Sequence, residues 1–521
     1  MKKLLYTILA LLLIGLLTTY LILFTEWGNK IIASYIEKKI NPNEHYLSVK
    51  TFKLGFNSLD FKAQANDDST LILKGDFSLL KQSVDLNYQI DIKDLRSFKE
   101  WIPYPLRGAI ITSGNIKGYR KALVIQGVSN AAQSHTTYNA LLDDFKLSHL
   151  SLNAKDANLE DLLYLFNRPA YANAKVSLQA DFNSLKPLEG HLTLTANNAL
   201  INNALINNAL INNALINQMF HLNLKDTLIF NLSHSSDFKE NKAISDTTLT
   251  SPLANFTALK SEYFFSALKL NAPYTLEIPN LAKLQNMTNH PLKGSLTLKG
   301  AIEQSPKLLK VSGHSNLLDG TLDFTLLNKD LKAHFSNIST LKALDLFNYP
   351  KFFQSLADAN LDYDLSAKQG VLKARLKNAR LLKNSFSDFL YSISKFDITK
   401  EIYNDVSLIS QINQQRLLSN LSMKSPKTQL KIHNGLLDLN TKQIDMLMDA
   451  EILKFIFKLK LQGNMHQPKF SLILNEKAIQ QNLQQGLKEI LKNDTLKKGL
   501  DHLLKDDKLK EKLEKGLKGL F

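Results

Sequence analysis

The chain has 521 residues, a formal net charge of +16 and no cysteine. The absence of cysteine excludes disulfides, thiolate catalysis and cysteine-rich metal sites. Lysine is spread along the whole chain without a basic block interleaved with aromatic residues, so we expect no nucleic-acid partner.

The N-terminus predicts a membrane anchor. Two lysines precede the uncharged run Leu4–Phe24, and a helix of about 20 apolar residues spans roughly 30 Å, the thickness of a bilayer core. A cleaved signal peptide is the alternative, but the run ends without an A-x-A-like site. We therefore expect residues 1–24 to be one uncleaved transmembrane helix that starts on the cytoplasmic side.

A short juxtamembrane helix is predicted for residues 25–45. Its helical part is Glu26–Ile40, and Pro42 ends it because proline cannot continue a helix. Trp27 has the position expected of an interfacial aromatic residue.

Strict alternation of apolar and polar residues is clearest between residues 82 and 92. Successive side chains of a strand point to opposite faces, so all the apolar groups share one face. Such a strand is typical of an antiparallel sheet packed on one side only. The apolar residues are Val84, Leu86, Tyr88, Ile90 and Ile92.

The same pattern returns from about residue 47 to residue 474, which predicts a mainly β protein with an extended antiparallel sheet. Short helices are predicted between the strands. They are about Leu95–Trp101, Leu159–Phe166, Leu341–Phe347 and Phe386–Ser394.

An internal repeat indicates a duplication. At an offset of 186 residues, Pro105–Gly108 matches Pro291–Gly294, and Gly127–Asn130 matches Gly313–Asn316 without a gap. We expect two β modules, residues 46–275 and 276–474, because duplication of a β unit extends a sheet by addition.

A low-complexity tract at residues 197–218 repeats Asn-Asn-Ala-Leu-Ile four times from Asn197 to Ile216. A period of five fits neither a helix nor a regular strand, in which an odd period changes the face each time. The second module has a similar motif once, at Asn378–Asn384. We interpret the tract as an expanded single motif without a specific role.

The C-terminal residues 475–521 predict amphipathic helices, with leucine on one side and lysine on the other. Two interpretations are open, a cap over the end of the sheet and a helix on a membrane surface.

Sequence motifs give no sign of catalysis. None of the twelve histidines has a metal-binding spacing, and no nucleophile elbow or phosphate-binding glycine loop occurs. Ser78 and Lys81 have the spacing of a Ser-Lys pair, but nothing partners them. We expect no enzyme, no cofactor and no metal.

The apolar face then needs a partner, because a soluble monomer rarely exposes more than a few hundred Å² of contiguous apolar surface. A sheet that curls into a trough offers that face to lipid acyl chains, at roughly 0.8 kcal/mol per buried methylene.

Several segments resemble the AsmA-like family of Gram-negative envelope proteins, relatives of TamB. They are Val49–Leu54, the strand-rich body, Ser425–Leu439 and the closing pattern Leu459–Lys469. The resemblance implies a curled β-groove that is anchored in the inner membrane and lies in the periplasm. It implies transport of phospholipid toward the outer membrane, or a role in outer-membrane assembly, and no catalytic residues.

The resemblance also implies a groove lining made by the apolar residues of the alternating strands. These are Val84, Leu86, Tyr88, Ile90, Ile92, Leu192, Leu194, Leu296, Leu298, Leu322, Phe324, Leu361, Tyr363 and Leu365. Phospholipid or another acyl-chain lipid is the expected partner, together with the inner membrane and an outer-membrane contact. A scaffold that holds unfolded outer-membrane strands along an open sheet edge is the alternative.

Overall fold

The computed structural model shows a mainly β chain with 62% strand and 16% helix, whose antiparallel strands belong to a long sheet that is not closed. Its contacts divide the chain into two units, Met1–Leu268 and Lys269–Phe521. The structure describes residues 13–15, 17–41, 46–78, 81–99, 104–170, 172–201, 228–288, 290–453 and 455–473.

Unit 1 is an antiparallel meander in which each strand pairs with the next one in the sequence. Helix α1 (Glu26–Ile40) precedes it, helix α2 (Leu159–Leu165) follows β8, and 3₁₀ turns occur at Leu95–Phe98 and Ala131–Gln133. The strands are β1 (Leu47–Leu54), β2 (Ser58–Ala65), β3 (Thr70–Ser78), β4 (Ser83–Ile92), β5 (Ile110–Tyr119), β6 (Ala122–Ser129), β7 (His135–Asp143), β8 (Lys146–Asn158), β9 (Asn173–Leu185), β10 (Leu188–Ile201), β11 (Leu228–Lys239), β12 (Lys242–Thr250) and β13 (Asn255–Phe264).

Unit 2 is a second meander with the same neighbour-to-neighbour pairing. Its helices are α3 (Gln285–Thr288), α4 (Thr340–Leu346) and α5 (Ser385–Ser394), with 3₁₀ turns at Leu281–Leu284 and Ile398–Lys400. The strands are β14 (Lys269–Ile278), β15 (Leu296–Ser305), β16 (Leu308–Leu317), β17 (Gly320–Leu327), β18 (Asp330–Ser339), β19 (Phe353–Asp364), β20 (Gln369–Leu381), β21 (Asp405–Asn413), β22 (Arg416–Lys424), β23 (Thr428–Asp438), β24 (Gln443–Ile452), β25 (Phe455–Asn464) and β26 (Lys469–Ile473).

The predicted short helices are confirmed with small changes of their ends. Helix α1 has the predicted bounds, α2 and α5 differ by one residue at one end, and α4 is displaced by one residue at both ends. Helix α5 begins early because the Asn384 side chain accepts hydrogen bonds from the first backbone N–H groups of the helix. The helix predicted at residues 95–101 is a single 3₁₀ turn that ends at Phe98, and residues 100–103 lie outside the described part.

The predicted membrane anchor lies largely outside the described residues, which omit residues 1–12 and 16. Residues 17–24 are helical. Within the described ranges, no helix combines the length and the apolar character that crossing a membrane requires. The predicted C-terminal helices at residues 475–521 lie entirely outside the described part.

Helix α1 protects the edge strand of unit 1. The Asn29 carboxamide oxygen accepts a hydrogen bond from the Leu54 N–H at 3.0 Å, and a Glu37 carboxylate oxygen accepts one from the Val49 N–H at 3.2 Å. Unpaired N–H groups on an edge strand invite pairing with another chain. The polar side of α1 therefore satisfies donors of β1 that have no neighbouring strand to bond.

Three β-bulges share one arrangement of backbone and side chains. Asn198, Asn337 and Asn434 have φ between 48° and 52° and lie at β-bulges. The N–H of each donates to an Asn or Asp side chain on the neighbouring strand, at 2.7, 2.9 and 3.0 Å. A bulge bends the strand and increases its twist, so these positions give the sheet local curvature. The accepting residues are Asn231, Asp358 and Asn420.

A bulge also explains the first Asn-Asn-Ala-Leu-Ile repeat. Strand β10 continues through Ile201, and its register shifts between Ala196 and Ala199, which brings Ala199 onto the same face as Ala196 with no exposed surface. The bulge absorbs the odd residue, so this single repeat fits within a strand. Residues 202–227 lie outside the described part.

Helix α5 contributes to an apolar core of the last strands of unit 2. Leu390 of α5 is fully buried in one cluster with Leu430, Leu459 and other residues of β20–β25. Phe386 and Phe389 pack on Phe470 with ring centroids 5.4 and 5.9 Å apart. The face predicted to be an open lining is here a protein core.

Removal of the Leu390 side chain should loosen this core. Leu390→Ala is expected to lower the opening free energy of β23–β25 by about 2–5 kcal/mol, because a buried leucine is lost and a cavity remains. Hydrogen exchange of the amides in these strands measures the change in the full-length chain. Tyr391→Ala, at the neighbouring residue that is half exposed, is the control and should leave the exchange rates nearly unchanged. Equal effects of the two variants would contradict the proposed core.

Candidate functional site

The apolar face of unit 1 is the candidate site. In β4, Leu86 and Tyr88 are 9% and 6% exposed, whereas Asn87 and Gln89, which alternate with them, are exposed. Residues that are directly opposite each other on antiparallel strands point to the same face. The pairing register therefore extends the face of Tyr88 from strand to strand.

One row of this face runs from β4 to β10. Tyr88 lies opposite Gly114, which is followed in the next strands by Gly127, Tyr138, Leu152, Ala180 and Leu192. No residue in the row carries a charge. The predicted lining residues of β4 and of β10 therefore belong to one face, although about 100 residues of sequence separate them.

Two glycines in this row make room for an aromatic ring. A Cβ atom added at Gly127 would lie 2.3 Å from the Tyr88 hydroxyl oxygen, and one at Gly114 would lie 2.6 Å from it. The Tyr88 side chain thus lies flat across two neighbouring strands, with its hydroxyl against that of Tyr138. Burial, together with the bond to Tyr138, raises the pKa of Tyr88 well above its ordinary value.

Unit 2 repeats this arrangement 186 residues later. Tyr274 lies opposite Gly300, and Gly313 and Phe324 follow in the next two strands. A Cβ atom at Gly313 would lie 2.4 Å from the Phe324 ring and 2.8 Å from the Tyr274 hydroxyl oxygen. Glycine is needed at the duplicated positions of both units because an aromatic side chain occupies the space where a Cβ atom would lie.

The remaining predicted residues of unit 2 lie on this face with one exception. Leu361 is opposite Ala333, which is opposite Phe324, and Tyr363 is opposite Leu331. Leu365 follows the end of β19 at Asp364 and is 45% exposed, so it belongs to a turn and not to the strand row. The lining residues of β15 and β17 that share the face are Leu296, Leu298 and Leu322.

The helices of unit 1 cover only parts of the apolar face. Helix α1 packs along β1, and α2 packs on β8 and β9, where Leu159 contacts the buried cluster around Val176. Among the described residues of unit 1, no other α-helix packs on a strand to this extent. In the part of the chain that the structure describes, neither α1 nor α2 has its main strand contacts on β4 or β10, the strands of Tyr88 and Leu192.

Each unit carries a hollow that sequence reasoning missed. The hollow in unit 1 measures about 910 Å³ and crosses β3–β8, and the one in unit 2 measures about 680 Å³ and crosses β15–β19. Polar and apolar residues line both hollows, and among the apolar ones are Tyr88, Tyr138, Phe324 and Leu361. The alternating Asn and Gln residues were the available signal, but they also fit an ordinary solvated surface. Among the lining residues are Lys74, Asn87, Asn115, Gln126, His314 and His334.

Comparison with known proteins gives no family. No protein-family model, curated protein or solved structure matches the chain. Among the described residues, no group of His, Asp and Glu side chains is arranged to hold a metal ion. The resemblance to the AsmA-like family stays a prediction.

The glycine rows can be tested by a double-mutant cycle. Gly127→Ala should destabilise the β5–β7 amides by about 1–3 kcal/mol, because the added methyl overlaps the Tyr88 hydroxyl and a backbone oxygen of Ser113. In a Tyr88→Phe background the same substitution should cost less, because its nearest contact is gone. Hydrogen exchange measures both values. Equal costs in the two backgrounds would mean that the ring does not lie over Gly127.

Proposed function

We propose that this chain binds lipid by its acyl chains along the apolar sheet face and carries phospholipid between the inner and outer membranes. The observation that carries the proposal is the uncharged row from Tyr88 to Leu192, against whose middle strands β5–β7 no described α-helix has its main contacts. Six strand spacings of about 4.8 Å give this row a length of roughly 29 Å. That length is close to the thickness of a bilayer core, which two acyl chains fill end to end.

The core around α5 limits where lipid binds. In β20–β26 the apolar side chains pack with α5 and with one another into a core, so this part is not included in the proposed lipid surface. The lipid surface of the proposal therefore consists of β3–β13 in unit 1 and of β14–β19 in unit 2. It excludes Leu365, which lies in a turn.

The exposed side of α1 supports a location at a membrane. Trp27, Ile31 and Tyr35 are 66%, 45% and 63% exposed and follow one another at helical spacing, with Lys30 and Lys38 beside them. Aromatic residues flanked by lysine are typical of a helix at a lipid headgroup layer. This helix directly follows the predicted transmembrane segment, so we propose a single-pass inner-membrane anchor with the sheet in the periplasm.

The scaffold alternative needs a free sheet edge for an unfolded strand. At β1 the backbone donors of Val49 and Leu54 already bond to side chains of α1. This edge is therefore not open to an incoming strand, whereas β26 at the other end has only β25 as a partner among the described strands. No catalytic step is part of the proposal.

Photo-crosslinking from the two faces of β4 tests the proposal. A photoreactive amino acid at Ile90, on the apolar face, should capture phospholipid in cells, whereas the same group at Gln89 should not. Mass spectrometry of the crosslinked full-length protein identifies the partner. Both variants change a residue of the same strand, so a folding defect would affect them alike. Capture of outer-membrane polypeptide at Ile90 would support the scaffold, and equal lipid capture at both positions would contradict a lipid-binding face.

A further inference from the structure

A group of polar side chains interrupts the apolar face of unit 1. The group begins on β11, next to the lining residues of β10. Leu192 is opposite Ser236, and Leu194 is opposite His234. Ser236 is opposite Ser245 of β12, and Ser245 is opposite Ser261 of β13, so the three side chains share this face. We call this group the polar cluster, and its members are His234, Ser236, Ser245, Thr247 and Ser261.

Most of the polar cluster is joined by hydrogen bonds. His234 Nδ1 is 2.9 Å from the Thr247 hydroxyl, and His234 Nε2 is 2.8 Å from that of Ser236, which contacts Ser245 at 2.7 Å. Ser261 is 6% exposed, and its hydroxyl has no hydrogen-bond partner among the described residues. Buried polar groups are normally satisfied, so this hydroxyl is a donor without its acceptor.

The polar cluster is uncharged. Burial lowers the pKa of His234 below its ordinary value, which leaves the imidazole neutral at neutral pH. Asp237, Lys242, Asp246 and Glu262 alternate with the cluster residues and therefore point to the other face. The cluster offers hydroxyl and imidazole donors but no cation, and recognition of a phosphate group relies on Arg or Lys.

Apolar bands border the polar cluster on both sides along the strands. Leu232, Leu249 and Phe256 form a directly paired row on one side, and Phe238 and Tyr263 belong to the row on the other. The order along the strands is apolar, polar and apolar. A molecule that matches this order has a neutral hydrogen-bond acceptor between two apolar chains.

We propose that the polar cluster binds the ester-linked glycerol region of a phospholipid, whose acyl chains lie on the two apolar bands. The ester carbonyl oxygens are neutral acceptors, and they receive hydrogen bonds from the hydroxyls of Ser261 and Thr247. This proposal rests on the proposed lipid-binding function. It adds that the apolar face recognises the linkage of the lipid and not only its hydrocarbon.

An ester and an ether lipid with the same headgroup and chains test the proposal. The purified full-length chain is incubated with vesicles that contain equal amounts of dioleoyl phosphatidylethanolamine and its dialkyl ether analogue, which lacks the carbonyl oxygens. Mass spectrometry then gives the ratio of the two bound lipids. We expect about 25-fold more ester lipid on the unaltered chain, the effect of two neutral hydrogen bonds at about fivefold each.

The double variant Thr247→Val and Ser261→Ala should reduce this ratio to about one while the total amount of bound lipid stays similar, because both changes keep the shape of the face and remove its donors. Ser233→Ala changes an exposed serine of β11 on the opposite face and should keep the ratio of the unaltered chain. A ratio of one on the unaltered chain, or a ratio that the double variant leaves unchanged, overturns the polar-cluster proposal but not the lipid-binding function. No binding of either lipid overturns both.

Discussion

The pairing register of the antiparallel strands is the constraint on which the rest of the structure depends. Directly opposite residues share a face, so the apolar side of one alternating strand determines which side of the neighbouring strands must be apolar. A shift by one residue in any pair would reverse the faces of every strand that follows. Register shifts do occur, as between Ala196 and Ala199, but the bulged residue restores the face. The continuous row from Tyr88 to Leu192 is the result of this rule.

Two devices adapt the sheet without breaking the register. Bulges with a positive-φ asparagine bend individual strands, and neighbouring Asn or Asp side chains satisfy the N–H groups that the bulge exposes. Glycine pairs let Tyr88 and Tyr274 lie across adjacent strands. The glycine pairs follow the duplication, since the aromatic residues and glycines recur at the same offset of 186 residues. Each of the two modules therefore has its own apolar face with the same arrangement of glycine and aromatic residues.

Much of this fold could be predicted from the sequence, because alternation with period two and the positions of short helices are local signals. The strand at residues 83–92 and the helix at residues 26–40 follow from such signals. Packing between distant segments could not be predicted. The sequence shows a short amphipathic helix at residues 385–394, but only the structure shows that Leu390 fills the apolar face of strands as far away as β25.

The polar cluster on the apolar face also could not be predicted from the sequence. His234 and Ser261 lie on different strands, and the bulge between them changes which residues of β13 share their face. Alternation alone gives no reason to group them. The bulge at the first Asn-Asn pair of the low-complexity tract could not be predicted either, because a bulge is defined by the pairing with the partner strand.

The central claim is that lipid acyl chains, and not polypeptide, cover the middle of the apolar face in unit 1. A cryo-electron microscopy map of the full-length chain, purified in mild detergent with its native lipids, tests it most directly. We predict rod-shaped density of acyl-chain width along the row from Tyr88 to Leu192, without connection to the protein backbone. Density that connects to the chain and places its own side chains on this row would contradict the claim.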